Sequence, residues 1–240
     1  MIIDEKKYGW LAGVFEESFQ LISVRVDRDN FLQWEVVSKS DESRFDEALQ
    51  RAAGLLNIRT PQEFKSTFEI EPKAFANDSR LWRSFIGEIL VLFALDGFGF
   101  ENFKKLITKD TENPDYIASY KSIPFTIEVK HTVRDASEED KAIDGRTHNI
   151  QPLITDILEM IKVRLPKFES QLAVYPSHRR IAAFGFEGLP VTGTFLNEFD
   201  ATEIGKKVIA KADGKIDHIL IMSTQFENTH LVPDLSRYSN

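Results

Sequence analysis

The segment 113–132 constrains the fold most strongly, because apolar and polar residues alternate along its second half. Phe, Ile and Val occupy positions 125, 127 and 129, and Thr, Glu, Lys and Thr occupy positions 126, 128, 130 and 132. A period of two is that of a β-strand, in which successive side chains point to opposite faces. The pattern predicts a strand over 125–132 with Glu128 and Lys130 on one face.

A turn at Lys121 and Ser122 would fold this segment into a hairpin. Asp115 and Glu128 stand equally far from the centre of that turn, so they lie opposite each other with Cβ atoms about 5 Å apart. Two carboxylates this close repel each other unless a cation lies between them. Hard oxygen ligands suit Mg²⁺ or Mn²⁺, and we therefore expect Asp115 and Glu128 to bind such an ion.

A third acidic residue comes from an apolar helix predicted over 81–95, where Glu88 is the one charged residue after Arg83. An unpaired buried carboxylate costs several kcal/mol or is forced into its neutral form, so a compensating cation is expected. The metal ion bound by Asp115 and Glu128 would supply that charge. The alternative is a structural salt bridge to an arginine.

These residues carry a resemblance to a known family. A helix with Glu88, a strand near 106–109, Pro114-Asp115 and then Glu128-x-Lys130 resembles the PD-(D/E)xK nuclease superfamily, the restriction-endonuclease-like phosphodiesterases. The likeness covers roughly 79–224. It implies an α/β fold: a restriction-endonuclease-like core with a central mixed β-sheet flanked by helices over 79–240. A mostly helical region with a hairpin would precede it over 1–78.

The resemblance also implies roles for the site residues. In that superfamily the residues matching Asp115 and Glu128 bind the metal, Mg²⁺ or Mn²⁺, and the helix acid, here Glu88, completes the metal shell. The residue matching Lys130 orients the attacking water or stabilises developing charge. The expected catalytic set is therefore Asp115, Glu128, Lys130 and Glu88, and three of these, Asp115, Glu128 and Glu88, are expected metal ligands.

Three further residues are candidates for substrate binding. Gln171-x-x-x-Tyr175 resembles the QxxxY element of RecB-type nucleases in the same superfamily, in which a glutamine near the metal would orient substrate or water. The alternative is a surface glutamine and a packing tyrosine. Arg179 and Arg180 are candidate phosphate contacts.

The rest of the chain reads as alternating helices and strands, which indicates an α/β core with a mixed sheet. Pro166 is expected to end or kink the helix that precedes it. Helices are predicted over 5–20, 41–56, 151–165 and 201–212. A short helix is expected to begin at the capping box of Thr60, and another is expected to follow Pro166 and to end at about 174. Strands are predicted over 21–26, 31–38, 180–187 and 218–223, with a loop over 134–149 and an irregular tail after 225.

Charge and composition limit the function further. The net charge of −8 counts against loose, non-specific nucleic-acid binding, which depends on many Lys and Arg residues. The chain has no cysteine, which removes disulfides, thiolate zinc sites and cysteine nucleophiles. Its longest apolar run is far shorter than a membrane span, and its start does not resemble a signal peptide, so we expect a cytoplasmic protein.

The expected function is a metal-dependent nuclease that hydrolyses phosphodiester bonds. DNA is the favoured substrate, and an endonuclease of restriction, defence or repair is the favoured role. A homodimer or a partner protein would supply targeting. The alternative is a non-catalytic binding or assembly subunit with a nuclease fold, which needs a partner.

Overall fold

The structure, a computed structural model, describes residues 9–15, 42–77, 79–107, 112–133, 151–187, 198–223 and 229–238. Within these ranges six strands form one sheet, and their order across the sheet follows their order in the chain. The strands are β1 (Glu101–Lys105), β2 (Tyr116–Tyr120), β3 (Ile123–Val133), β4 (Arg179–Glu187), β5 (His218–Ser223) and β6 (Thr229–Val232).

The sheet is mixed, as the sequence predicts. Strands β1, β2 and β3 are antiparallel neighbours, β3, β4 and β5 run parallel, and β6 returns antiparallel to β5. The helices are α1 (Gly9–Phe15), α2 (Glu42–Leu55), α3 (Pro61–Thr67), α4 (Pro72–Asn77), α5 (Ser79–Gly97), α6 (Gln151–Leu172) and α7 (Glu198–Lys211). A 3-10 turn, Ser236–Tyr238, follows β6.

The β2–β3 hairpin has the predicted turn and register. Lys121 and Ser122 have φ of 48° and 65°, and positive φ at both central residues is the property of a type I′ turn, whose twist matches that of the strands. Tyr116 pairs with Ile127, and the pairs between them and the turn follow without a shift. The alternation of 125–132 therefore predicted the hairpin correctly.

Both faces of the sheet are covered. On one face a hydrophobic cluster joins the sheet to α5 and to α1–α4, so the described parts of 1–78 pack directly on the core. Phe85 of α5 is central to it, with Phe15 at 5.9 Å and Phe64 at 6.2 Å between ring centroids. On the other face α6 and α7 pack around Phe168 and Phe184, whose centroids are 4.5 Å apart.

The first strand lies earlier than predicted. It spans Glu101–Lys105 rather than 106–109, because α5 ends at Gly97 and Gly99, with φ of 86°, reverses the chain at once. Phe103 is the one fully buried residue of this strand. The strand therefore lacks the apolar alternation by which a strand is recognised in sequence.

The prediction that Pro166 ends the helix was wrong, and its alternative, a kink, stays a prediction. Helix α6 continues through Pro166 to Leu172. Proline removes the bond that its N–H would donate to the carbonyl of Lys162. Pro166 and Lys162 both lie on the exposed side of α6, where water can hydrogen-bond that carbonyl.

The tail after 225 is not wholly irregular, because β6 and the 3-10 turn lie within it. Strand β6 has four residues, of which Leu231 and Val232 are buried, and this is too short for a visible alternation. The predicted helix of 41–56 and the Thr60 capping box are confirmed in α2 and α3. The predicted helix of 5–20 is confirmed over Gly9–Phe15, and the rest of it lies outside the described residues. The predicted hairpin of 21–38 and the loop of 134–149 lie outside the described residues. No helix in the described part of the chain has the length and apolar character needed to cross a membrane.

Candidate functional site

Asp115 lies where β2 and β3 separate. It directly precedes β2, is 7% exposed, and its Oδ2 accepts a hydrogen bond of 2.7 Å from the backbone N–H of Val129. Its own carbonyl accepts a bond of 2.9 Å from the N–H of Leu106, just beyond β1. These bonds tie the residue to both neighbouring strands, so the carboxylate has a defined position at the end of the hairpin.

Glu128 and Lys130 lie on the face of β3 that α6 covers. Glu128 is fully buried, and its Oε1 accepts a hydrogen bond from Lys130 Nζ. Its Oε2 has no hydrogen-bond partner among the described residues. The ammonium of Lys130 lies 5.9 Å from the ring centroid of Phe168 in α6. The predicted sharing of a face is confirmed, but the face lies beneath a helix.

Glu88 has a charged partner that the sequence analysis missed. Lys105 Nζ, at the end of β1, lies 2.7 Å from Glu88 Oε2 and 3.4 Å from Asp115 Oδ1. The Lys105 side chain is 6% exposed, and its ammonium also lies 5.0 Å from the ring centroid of Tyr116. The compensating charge expected for Glu88 is therefore present as a lysine. No signal in the sequence marked Lys105, because β1 was predicted to begin after it.

The acidic residues reach the site from opposite faces of the sheet. Glu88 and Lys105 lie on the side of α5, whereas Glu128 and Lys130 lie on the side of α6. Asp115, at the end of the hairpin, interacts electrostatically with both Glu88 and Glu128. Three carboxylates were expected to meet at one metal ion. The structure instead has two lysine–glutamate pairs, and Asp115 interacts with the glutamate of each pair.

Burial and charge shift the ionisation of these groups. Burial, aided by the Asp115 carboxylate and opposed by Lys130, raises the pKa of Glu128 to about 8. Burial also raises the pKa of Glu88, against the effect of Lys105. For Lys105, burial lowers the pKa, but Glu88 and Asp115 together raise it above the usual value. Lys105 is therefore firmly protonated, while Glu128 holds a proton near neutral pH unless a further cation approaches.

The fit of these residues to a metal ion differs between the three acids. Among the described residues no group of three or more His, Asp or Glu side chains is arranged to hold a metal ion. Asp115 and Glu128 still fit Mg²⁺, because Glu128 presents a buried oxygen without a partner and Mg²⁺ is commonly held by one or two carboxylates with water and substrate oxygens. Glu88 is engaged by Lys105, so its assignment to the metal shell stays a prediction.

Gln171 lies beside the segment that leads to Asp115. It is 7% exposed near the end of α6, and its Nε2 donates a bond of 3.2 Å to the carbonyl of Asn113. Its Oε1 has no partner within the described ranges. Tyr175 lies beyond the end of α6 and stacks on His178, with centroids 5.1 Å apart. The structure thus brings Gln171, but not Tyr175, to the border of the site.

Arg179 and Arg180 are not brought to the carboxylates. They begin β4, where Arg179 pairs with Phe125, and their guanidinium groups contact Asp217 at 3.4 and 3.1 Å. Their predicted contact with substrate phosphate therefore has no support from this geometry. Asp217 holds them at the other end of β3 from Lys130.

Comparisons with protein-family models, with curated proteins and with solved structures found no match for this chain.

Proposed function

We propose that this protein is a Mg²⁺- or Mn²⁺-dependent phosphodiesterase with a restriction-endonuclease-like core, and that it cleaves DNA as an endonuclease of restriction, defence or repair. The observation that carries the proposal is the meeting of Asp115 with the Glu128–Lys130 pair at the open end of a hairpin. The order of elements supports it: the helix with Glu88 precedes a strand, then Asp115, then the strand with Glu128 and Lys130, which is the order that carries the resemblance.

Asp115 and Glu128 would hold the metal ion. When bound, the ion lowers the pKa of a coordinated water and withdraws charge from the phosphoryl oxygens. Asp115 is already oriented for this role, because its second oxygen is held by the Val129 N–H. Burial raises the pKa of Glu128 to about 8, so binding of a cation beside it near neutral pH would release a proton.

Lys130 supplies the ammonium of the site. It lies against Glu128 and within electrostatic reach of Glu88, so it balances the acidic cluster before any substrate arrives. A cation at this position also stabilises negative charge that develops on a phosphate in the transition state. Gln171, which supports the segment before Asp115, has a carbonyl oxygen left to orient a water molecule or the substrate.

Cleavage assays with the full chain test the proposal. Plasmid, linear duplex, single-stranded DNA and RNA are incubated with Mg²⁺ or Mn²⁺, and cleavage should require the ion and stop with EDTA. Asp115→Asn, which retains an oxygen for the Val129 N–H, and Lys130→Met should each lower the rate about 100-fold or more. Lys162→Met, on the exposed side of α6, is the matched control. Either site variant cutting at the wild-type rate would exclude the assignment.

A second candidate function has its own support. Glu88 and Glu128 each contact a lysine of the same chain, Lys105 and Lys130, and acidic residues with such internal partners suit a nuclease fold used as a binding or assembly subunit. Such a subunit would bind nucleic acid or a partner without cutting. Manganese calorimetry separates the two functions: a nuclease binds the ion, and Asp115→Asn weakens that binding, whereas the subunit shows no binding heat and no cleavage with any substrate.

A further inference from the structure

A surface pocket of about 700 Å³ opens at the end of the sheet where β3, β4 and β5 begin. This volume lies within the range of small-ligand sites. The strand starts and the 3-10 turn after β6 contribute the following residues to the pocket lining: Ile123, Arg179, Arg180, Asp217, Arg237 and Tyr238.

The pocket is separate from the carboxylate cluster. Ile123, which lines it, begins β3, and Glu128 lies about 16 Å further along that strand. Between the two, both faces of the sheet are covered by packed side chains of the described helices. The pocket and the Glu128–Lys130 pair therefore lie towards opposite ends of β3, and a ligand site in the pocket is independent of the proposed nuclease function.

The charges that line the pocket are unbalanced. Of the described residues that line it, three are arginines and one, Asp217, is acidic. The Asp217 carboxylate is shared, at 3.1 Å from Arg180 and 3.4 Å from Arg179. The Arg179 side chain is 53% exposed and retains free donors. The pocket therefore has an excess of positive charge directed at solvent.

Arg237 is held in place without losing its charge. Its Nη2 donates a bond of 2.7 Å to Nε2 of His218, which is fully buried, and His218 Nδ1–H donates a bond of 2.7 Å to the carbonyl of Pro233. These bonds require the neutral imidazole, and burial lowers the pKa of His218 to about 4. The guanidinium is thus oriented by a neutral acceptor, and among the described residues no carboxylate forms an ion pair with Arg237.

The pocket also has an apolar side. Tyr238 and Ile123 are both half-buried, and the Tyr238 ring is fixed by edge contact with Phe125, with centroids 5.7 Å apart. The Arg237 guanidinium lies 4.9 Å from the Tyr238 ring centroid. An aromatic surface beside arginine donors suits a ligand that combines a planar ring with an anionic group.

We propose that this pocket binds a phosphate group carried by a nucleotide-sized ligand. Arg179 and Arg237 bind the phosphate oxygens, because a guanidinium presents paired donors that match them, and the base lies against Tyr238 and Ile123. A free nucleotide and the 5′-phosphorylated end of a nucleic-acid strand share this chemistry.

Calorimetry with the full chain in EDTA tests the proposal. AMP should bind, inorganic phosphate should compete with it, and adenosine should bind at least tenfold more weakly. The proposal would be overturned if adenosine bound as tightly as AMP. It would also be overturned if neither AMP nor a 5′-phosphorylated hexadeoxynucleotide bound. Binding of AMP identifies the free nucleotide as the source, whereas binding of the phosphorylated strand alone identifies a strand end; both support the phosphate site.

Two variants with opposite expected effects on AMP affinity distinguish loss of the site from a folding defect, because a folding defect would not tighten binding. Arg237→Gln should weaken AMP binding about tenfold or more, whereas Asp217→Asn, which removes the competing carboxylate, should tighten it several-fold. Arg164→Gln, an exposed arginine of α6, is the matched control and should bind as the wild type does. Wild-type affinity in Arg237→Gln, or weaker binding in a folded Asp217→Asn, would contradict the assignment.

Discussion

Lys105 and Glu88 form a largely buried ion pair, with 2.7 Å between Nζ and Oε2, and the same ammonium lies 3.4 Å from Asp115. The pair connects the helix α5 to the edge of the hairpin. It also means that the acidic end of the hairpin contains its own cation before any metal ion binds.

Removing that cation should destabilise the fold strongly. Lys105→Met removes the ionic partner of Glu88 and leaves Asp115 with only the bond from the Val129 N–H, and loss of one partner of a buried pair costs about 3–5 kcal/mol. The free energy of unfolding, measured by urea denaturation, should fall by that order. Lys162→Met is the control, because its pair with Glu159 is exposed and should contribute less than about 1 kcal/mol. Equal losses in the two variants would show that the Lys105 pair is not buried in solution.

Glu128→Gln should stabilise the metal-free protein at alkaline pH. The folded-state pKa of Glu128, about 8, lies above the usual 4.5, so the folded state binds its proton more tightly than the unfolded state does. The contribution of Glu128 to the free energy of unfolding is therefore fully present below pH 4.5 and is lost as pH rises through 8. Glutamine resembles the protonated acid at all pH values. In EDTA, the advantage of the variant should therefore grow by a few kcal/mol between pH 5 and pH 9.

A pH-independent difference in unfolding free energy between Glu128→Gln and the wild type would contradict this prediction. Glu159→Gln, at an exposed position of α6, is a suitable control because its difference from the wild type should change little over the same range.

His218 should make the protein sensitive to acid. Burial lowers the pKa of this residue to about 4 from 6.5, so the unfolded state binds more protons between these values. The contribution of His218 to the free energy of unfolding is fully present above pH 6.5. It falls by about 3 kcal/mol as pH falls towards 4. The stability gap between wild type and His218→Gln should narrow by that amount from pH 7 to pH 4. A constant gap would mean that His218 is not buried as a neutral ring.

Two glycines in helices should respond to alanine in opposite directions. A Cβ on Gly205 of α7 would lie 2.6 Å from Cβ of Val232 in β6, whereas one on Gly54 of α2 would meet nothing within 4 Å. Gly205→Ala should therefore cost about 1–3 kcal/mol through overpacking. Gly54→Ala should add about 0.5–1 kcal/mol through helix propensity. Thermal unfolding of both variants measures the difference, and a stabilised Gly205→Ala would show that α7 does not pack closely on β6.

The hairpin could be predicted because its information is local. A period of two and a turn between Tyr120 and Ile123 determine which residues face each other, and no distant contact is needed to align Tyr116 with Ile127. The arrangement of Asp115 beside Glu128 and Lys130 follows from that register, although the chemistry of the cluster stays a prediction.

Other features depend on contacts that a single sequence does not reveal. The polar face of β3 resembles a solvent-exposed face, yet Thr126 and Glu128 are fully buried because α6 packs over them. Lys105 became a partner of Glu88 only because Gly99 brings β1 back directly after α5. Arg179 was predicted to contact the substrate phosphate beside the carboxylates, but the parallel pairing of β4 places it at the other end of β3 from Lys130.

The order of the strands has a consequence for how the chain folds during synthesis. Since each strand is adjacent to the one before it, the sheet can grow from one edge as residues leave the ribosome. None of the six described strands needs to be inserted between two that are already paired. A nascent chain that ends after β4 would already contain the whole acidic cluster, while the arginine pocket would be completed only when Arg237 and Tyr238 emerge.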